Sequence, residues 1–356
     1  MNRYFTYQSN FYQNLLSKSI LFFAFLYFAI PPTLKAQSSN ALFKEAVKYS
    51  ESNDLEKAKS IFNQLITSDS NNYSAHFQLG VVFEKSGEIE QAANSFAKCL
   101  KMQPQSIPSM LHFAFNEERL GRYTNAIKYF TIAYNLDSAD LEIVTKRAQA
   151  YYVAGNIQAS LNCFERAIKI YPKYADAHLY KAICLDEMGK KEQALKEYDF
   201  VVEAVPNDAQ AFYKRGVLKK SLNDFTGAIA DFSAAIERED SYLEAYYARA
   251  EIEFANNNLQ NALMDCDKAN TLEINNPEPY ILRARIYLQS EKFSFALEDL
   301  DKVLDLYPDY VDALIIRANT KMKMKQKAAA CEDYKKAQSL GASNAEELIK
   351  KYCGNK

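Results

Sequence analysis

Tryptophan is absent from the 356 residues, and glycine and proline are scarce, with nine of each. So few breakers, set among many Ala, Lys, Glu and Leu residues, argue for an all-α chain. Strong charge of either sign is also missing: 43 basic against 45 acidic residues give a net charge of -2, which offers no general attraction to nucleic acid. Only three histidines occur, and the six cysteines form no CxxC or Cys/His ligand spacing, so a zinc site is not expected. There is no Ser/His/Asp grouping, phosphate-cradling glycine loop or family-linked carboxylate pair, so neither an enzyme nor a cofactor is expected. What the chain does have in quantity is aromatic, 25 Tyr and 22 Phe.

The one long apolar run is short. Ile20 to Ile30 follows a segment bearing Arg3 and Lys18 and no acid, and leads through Pro31-Pro32 to Ala36-Gln37. A basic start, a short apolar core and a small residue before a cleavage point match a secretory signal over residues 1–36. Eleven apolar residues fall short of the roughly 20 that a transmembrane helix needs. Cleavage after Ala36 is the preferred reading, leaving no integral membrane span. An N-terminal membrane anchor is the alternative, kept open by the large Leu34 near the cleavage point. No cysteine follows the run, so a lipid-modified N-terminus is not indicated.

The remainder repeats. Units of 34 residues starting at 39, 73, 107, 141, 175, 209, 243, 277 and 311 stay in register without insertion or deletion. Position 8 is then Ala46, Gly80, Ala114, Ala148, Ala182, Gly216, Ala250, Ala284 and Ala318. Position 20 is alanine in every unit except for Ser160, and position 24 is aromatic in seven: Phe62, Phe96, Phe130, Phe164, Tyr198, Phe232 and Tyr334. Small residues facing each other let two antiparallel helices approach, and the aromatic fills the space beside them. Pro104, Pro172, Pro206 and Pro308 share position 32, where they end a unit. The turn glycines Gly87, Gly121, Gly155 and Gly189 give way to Asn223, Asn257, Glu291 and Lys325.

On these residues the chain resembles a tetratricopeptide repeat (TPR) protein over residues 39–344. The resemblance implies an all-α, right-handed superhelical solenoid of nine helix-turn-helix repeats, its concave groove holding a peptide or another protein. A stack of this kind needs its ends covered. Residues 345–356 are read as a C-terminal capping helix and tail, with Ser343 and Glu346 at capping-box spacing and Leu348, Ile349 and Tyr352 to cover unit nine.

Units five to nine add a basic residue at position 7 and an acid at position 23: Lys181 with Glu197, Arg215 with Asp231, Arg249 with Asp265, Arg283 with Asp299, and Arg317 with Asp333. An ion-pair ladder that sets helix register is preferred over a row of arginines for acidic ligands. Cys331 and Cys353 stand apart from the other four cysteines, on the last full unit and at the end of the capping helix. They are either free or joined, and joined they would staple the cap. His76, His112 and His178 are read as packing or surface residues. The run Lys321, Lys323, Lys325 and Lys327 is read as solvated surface.

In the family the groove is presented by positions 2, 5, 9, 12 and 13. This implies Phe43, Phe77, Val81, Leu111, Phe115, Leu179, Ile183, Tyr213, Val217 and Tyr247 as mainly apolar candidates, followed by Glu251, Arg285 and Asn319. The competing reading packs part of this stripe between helices. The Lys and Asn set with which the family's chaperone-binding members clamp a carboxylate is missing. The expected function is a non-enzymatic scaffold or adaptor for a protein or extended peptide, exported to the periplasm or secreted. The alternative is a stably bound accessory subunit of an envelope secretion or assembly machine.

Overall fold

The computed structural model describes residues 34–354, so the expected signal segment lies outside the described residues apart from its last three positions. The described residues form helices and turns only. They divide into two compact units, one ending at Met188 and one beginning at Gly189. The first holds α1 (Leu34–Glu51), α2 (Leu55–Ser68), α3 (Tyr73–Ser86), α4 (Ile89–Met102), α5 (Ile107–Arg119), α6 (Tyr123–Leu136), α7 (Leu141–Val153), α8 (Ile157–Ile170) and α9 (Ala175–Glu187). The second holds α10 (Lys191–Ala204), α11 (Ala209–Ser221), α12 (Phe225–Arg238), α13 (Leu243–Ala255), α14 (Leu259–Leu272), α15 (Pro277–Gln289), α16 (Phe293–Leu306), α17 (Val311–Lys323), α18 (Lys327–Ser339) and α19 (Ala345–Tyr352). Within each unit every helix packs on its neighbours in the chain, which makes an all-α helical-repeat solenoid. Among the described residues, no helix is long and apolar enough to cross a membrane.

Eight of the helices start where a side chain offers an acceptor. Side chains of Asp54, Asn72, Ser106, Asp140, Asn156, Asp208, Asp224 and Asn276 each accept from a backbone N–H of the first turn. Hairpin turns are made by one left-handed residue, after which the next N–H closes on the carbonyl five back. Glu88 donates to Phe83 at 2.9 Å, Asn258 to Glu253 at 2.8 Å, and Lys292 to Tyr287 at 2.8 Å. A Cβ at Gly87, Gly121 or Gly155 would meet nothing within 4 Å, so these turns ask for glycine through φ alone. Asn223 and Asn257 adopt φ of 63° and 62°, and the same closure holds Glu291 at 58° and Lys325 at 62°. For those last two the left-handed backbone costs about 1–2 kcal/mol.

The core is the alanine–aromatic contact repeated. Ala92, Phe96, Ala126, Ala228, Phe232, Ala296, Ala330 and Tyr334 are buried at 0% or, for Phe130, 1% exposure. At Gly80 and Gly216 the approach is closer still: an added Cβ would lie 2.7 Å from the Phe96 ring and 2.8 Å from the Phe232 ring. These two positions therefore exclude even alanine unless a packed ring moves.

The capping box expected from Ser343 and Glu346 does not form. Asn344 precedes α19 without a side-chain capping bond, and Glu346 instead pairs with Lys350 at 2.6 Å, one turn along the exposed face. The helix begins at Ala345, so Asn344 and not Ser343 holds the capping position and the Ser343–Glu346 spacing is out of register. Leu348, Ile349, Tyr352 and Cys353 pack against Ala318, Ala330 and Tyr334, and Cys331 is joined to Cys353 across a Cα separation of 5.8 Å.

Two substitutions probe this account in opposite directions. Gly216→Ala should lower the urea midpoint by the equivalent of about 1–3 kcal/mol. Glu291→Gly should raise it, by about 0.5–1 kcal/mol after the added freedom of the unfolded chain is allowed for. A neutral Gly216→Ala would mean that the ring contact does not limit the approach of the helices.

Candidate protein-binding surface

In the first unit, most of the residues implied for the groove are core. Phe77, Val81, Leu111, Phe115 and Leu179 are 2–6% exposed, while Phe43, Val47 and Ile183 are half-buried. Aromatic side chains at these positions reach sideways into the stack. Phe77 sets its ring edge-on to Phe96 at 5.4 Å and to His112 of the next hairpin at 5.3 Å, and Phe43 meets Phe62 at 5.7 Å. The competing reading applies here, and it corrects the expectation of an apolar groove lining in this part of the chain.

The second unit is different. Tyr213 and Tyr247 are half-buried, Val217 and Arg285 are exposed, and Glu251 and Asn319 are half-buried. Polar side chains link successive hairpins along this face. Lys220 Nζ meets Glu251 at 2.7 Å, Arg285 meets Asp312 at 3.7 Å, and Glu278 accepts from the hydroxyls of Tyr247, at 3.5 Å, and of Tyr310. Bonding to Glu278 pushes the Tyr310 hydroxyl up to about 12, and burial raises that of Tyr247. Both remain neutral donors at physiological pH. Asn319 faces inward and accepts from Tyr334 at 2.7 Å. The face thus combines tyrosine rings and an exposed arginine, residue types enriched in protein interfaces, with charge pairs around them.

The ladder residues are paired. Arg215, Arg249, Arg283 and Arg317 each form a two-pronged bond to Asp231, Asp265, Asp299 and Asp333, at 2.5–2.9 Å. The sequence reading overlooked the third member. The free prong of each arginine reaches back to the preceding hairpin: Arg215 to Asp199 at 2.9 Å, Arg283 to Asp267 at 2.5 Å, Arg317 to Asp301 at 2.7 Å, and Arg249 to Ser233 at 2.8 Å. These four partners all occupy position 25, so the 34-residue register already contained the signal. The two aspartates hold the Arg283 guanidinium above its ordinary value against the opposing effect of burial. Engaged on both sides, the arginines are poor candidates for an acidic ligand. Lys181 and Glu197 fall in different compact units.

The histidines of the first unit are packing residues, buried among polar partners. His112 Nδ1 lies 2.9 Å from a Glu84 oxygen, Asn116 Nδ2 donates to the same carboxyl at 2.5 Å, and the histidine ring stacks on Phe96 at 4.7 Å. His76 and His178 are buried with Nε2 against the carbonyls of Ser70, at 3.1 Å, and Pro172, at 2.9 Å, so they tie down the preceding loops. Cys99, Cys163, Cys184 and Cys266 are free and buried, and burial pushes the Cys99 thiol up to about 12. Lys323, Lys325 and Lys327 are exposed, whereas Lys321 pairs with Asp333 at 2.8 Å.

Two family models described as tetratricopeptide repeat match the chain, one at residues 145–209 and 213–271, the other at 73–106 and 311–343. The chain belongs to the tetratricopeptide repeat family. A TPR repeat-containing protein of Methanocaldococcus jannaschii is 26% identical over 182 residues, covering 46% of this chain. Anaphase-promoting complex subunit 3 of Schizosaccharomyces pombe is 25% identical over 151 residues, covering 42%. The chain spans only 32% and 23% of the lengths of those two proteins. Among solved structures, a tetratricopeptide repeat protein from Parabacteroides merdae superimposes with a TM-score of 0.51 at 22% identity, over 70% of this chain and 100% of its own. The C-terminal part of a TPR repeat-containing protein from Cytophaga hutchinsonii gives 0.56 at 18% identity, over 67% and 98%. These likenesses concern the fold.

Within this TPR array the ladder is open to a direct energetic test. Asp299 is 4% exposed, so Arg283→Ala strands a buried carboxylate and should cost about 2–4 kcal/mol. Adding Asp299→Ala should return about 1–3 kcal/mol of that sum as coupling, read from thermal melts of the four-member cycle. Strictly additive losses would show that the pair does no more than fill space.

Proposed function

We propose that this chain acts as TPR proteins in general do, by binding a protein or peptide partner. As such it is a non-enzymatic scaffold or adaptor that holds an extended peptide or protein segment along the first helices of the second unit's hairpins. The observation that carries the proposal is the row of accessible tyrosine and charged side chains on α11, α13 and α15, Tyr213, Lys220, Tyr247, Glu251 and Arg285, with the exposed Val217 among them. Lys220 and Glu251 pair closely, whereas Arg285 and Asp312 stand 3.7 Å apart and remain exposed. An extended backbone laid across this face would find hydroxyl, carboxylate and guanidinium groups at each hairpin. Photo-crosslinking amino acids placed at Val217 and at Arg285, in the producing cell, should capture one common partner. The same probe at Glu298, exposed on α16, should not. Equal capture from α16 would move the binding surface elsewhere.

We also infer export. The basic, apolar and small-residue pattern up to Ala36 supports it, and so does the Cys331–Cys353 bond, since disulfides persist in oxidising compartments. The chain purified from the envelope fraction should begin at Gln37 by mass spectrometry. A mature chain still carrying Met1–Ala36 would point to the membrane-anchored alternative. The S. pombe relative is by name a subunit of a complex. A partner that survives high-salt washing in fixed proportion would favour an accessory subunit over a transient adaptor.

A further inference from the structure

Hairpins six to nine all carry the arginine–aspartate pair and differ in what stands beside it, which in hairpin eight is Tyr287. In hairpin six, Lys219 brings its ammonium to 2.8 Å from Asp231 Oδ2. In hairpin nine, Lys321 does the same for Asp333, again at 2.8 Å. The residue at the corresponding place in hairpin seven is Glu253, so a carboxyl group replaces the ammonium beside Asp265. The preceding hairpin departs from the pattern as well, offering Ser233 where its counterparts offer Asp199, Asp267 and Asp301.

A cavity of about 260 Å³ opens at this point, and Arg249, Glu253, Asn261, Asp265 and Ser233 line it. Its charges do not cancel: two carboxyl groups face one guanidinium. Glu253 is only 7% exposed, yet the donors it meets are the neutral amides of Asn258, at 2.7 Å, and Asn261, at 3.4 Å. Arg249 is already engaged on both prongs, by Asp265 at 2.7 and 2.8 Å and by Ser233 at 2.8 Å. A second anion would therefore meet Glu253 and Asp265 without a free arginine donor in compensation. A cation would restore the arrangement that the chain builds for itself in hairpins six and nine. The apolar lip suits an aliphatic stem: Ile229 lines it, and Met264 stands 60% exposed beside it.

We propose that the cavity between α12, α13 and α14 receives the ammonium group of a lysine side chain from a partner protein, with its methylene stem lying along Ile229 and Met264. The ammonium takes the place held by Lys219 and Lys321 in the other hairpins and donates to Asp265 and Glu253. This site is separate from the tyrosine-bearing face on α11, α13 and α15.

The test uses the full chain with ¹³C-methyl methionine and follows the Met264 methyl resonance while N-acetyl-lysine methylamide is titrated in. A saturable shift is expected, with N-acetyl-norleucine methylamide, which lacks the ammonium, binding about tenfold more weakly or worse. E253K should abolish the shift because it supplies an internal ammonium. E253Q, which keeps an acceptor for Asn258 and Asn261, should weaken binding about tenfold. The other methionine resonances report whether each variant stays folded. Equal binding of the norleucine amide, or wild-type binding by E253K with the fold intact, would overturn the site. Saturation by cadaverine with no response to the lysine amide would overturn the lysine source in favour of a free amine.

Discussion

A bulky side chain, in most hairpins an aromatic ring, laid against a residue with little or no side chain sets how closely paired helices approach. Where Phe96 covers Gly80 and Phe232 covers Gly216, an added Cβ would sit under 3.0 Å from the ring, so the two helices are as close as backbone and ring permit. This contact fixes the distance between paired helices and thereby the height at which the next hairpin is laid down. Positions 7, 23 and 25 follow from it. Arg283 can grip Asp299 on its own hairpin and Asp267 on the previous one because both carboxylates arrive at fixed heights. The ladder is a consequence of the packing, and it then makes a slip in register costly by stranding buried carboxylates.

Legibility from sequence followed the same division. Contacts dictated by size could be read, because the small residues and rings recur every 34 residues and no other arrangement buries them all. The arginine–aspartate pairing was legible for a related reason: two positions 16 residues apart fall opposite each other once the hairpin is known. Position 25 went unnoticed although Asp199, Asp267 and Asp301 stand in plain register, because the broken member, Ser233, hides the repeat from a rule that demands like residues.

What could not be read was which way a side chain at the helix margin points. Phe77 and Tyr213 occupy the same repeat position, yet one is 2% exposed and the other half-open to solvent. A phenyl ring loses nothing by turning into the stack, as Phe77 does against Phe96 and His112. A tyrosine must also place a hydroxyl, and Tyr247 does so on Glu278 at the surface. The choice depends on neighbours one hairpin away, which a single unit does not contain. Turn positions mislead in the opposite way. Glu291 and Lys325 look unsuited to a left-handed backbone, but the closing bonds from Lys292 to Tyr287, at 2.8 Å, and from Gln326 to Lys321, at 2.9 Å, hold them there.

Repetition has a further use: each copy shows what the others lack. A carboxylate buried beside an arginine and an incoming lysine is a complete arrangement in hairpins six and nine, and the chain itself provides all of its members. In hairpin seven the carboxylate and the arginine remain, the lysine is replaced by Glu253, and space is left open where an ammonium would stand. A buried carboxyl beside another is unfavourable unless donors hold it. Two neutral amides hold Glu253 on the wall of the opening, at 2.7 and 3.4 Å. A group held in position at a cost to the free fold is best understood through what it meets when something else is bound.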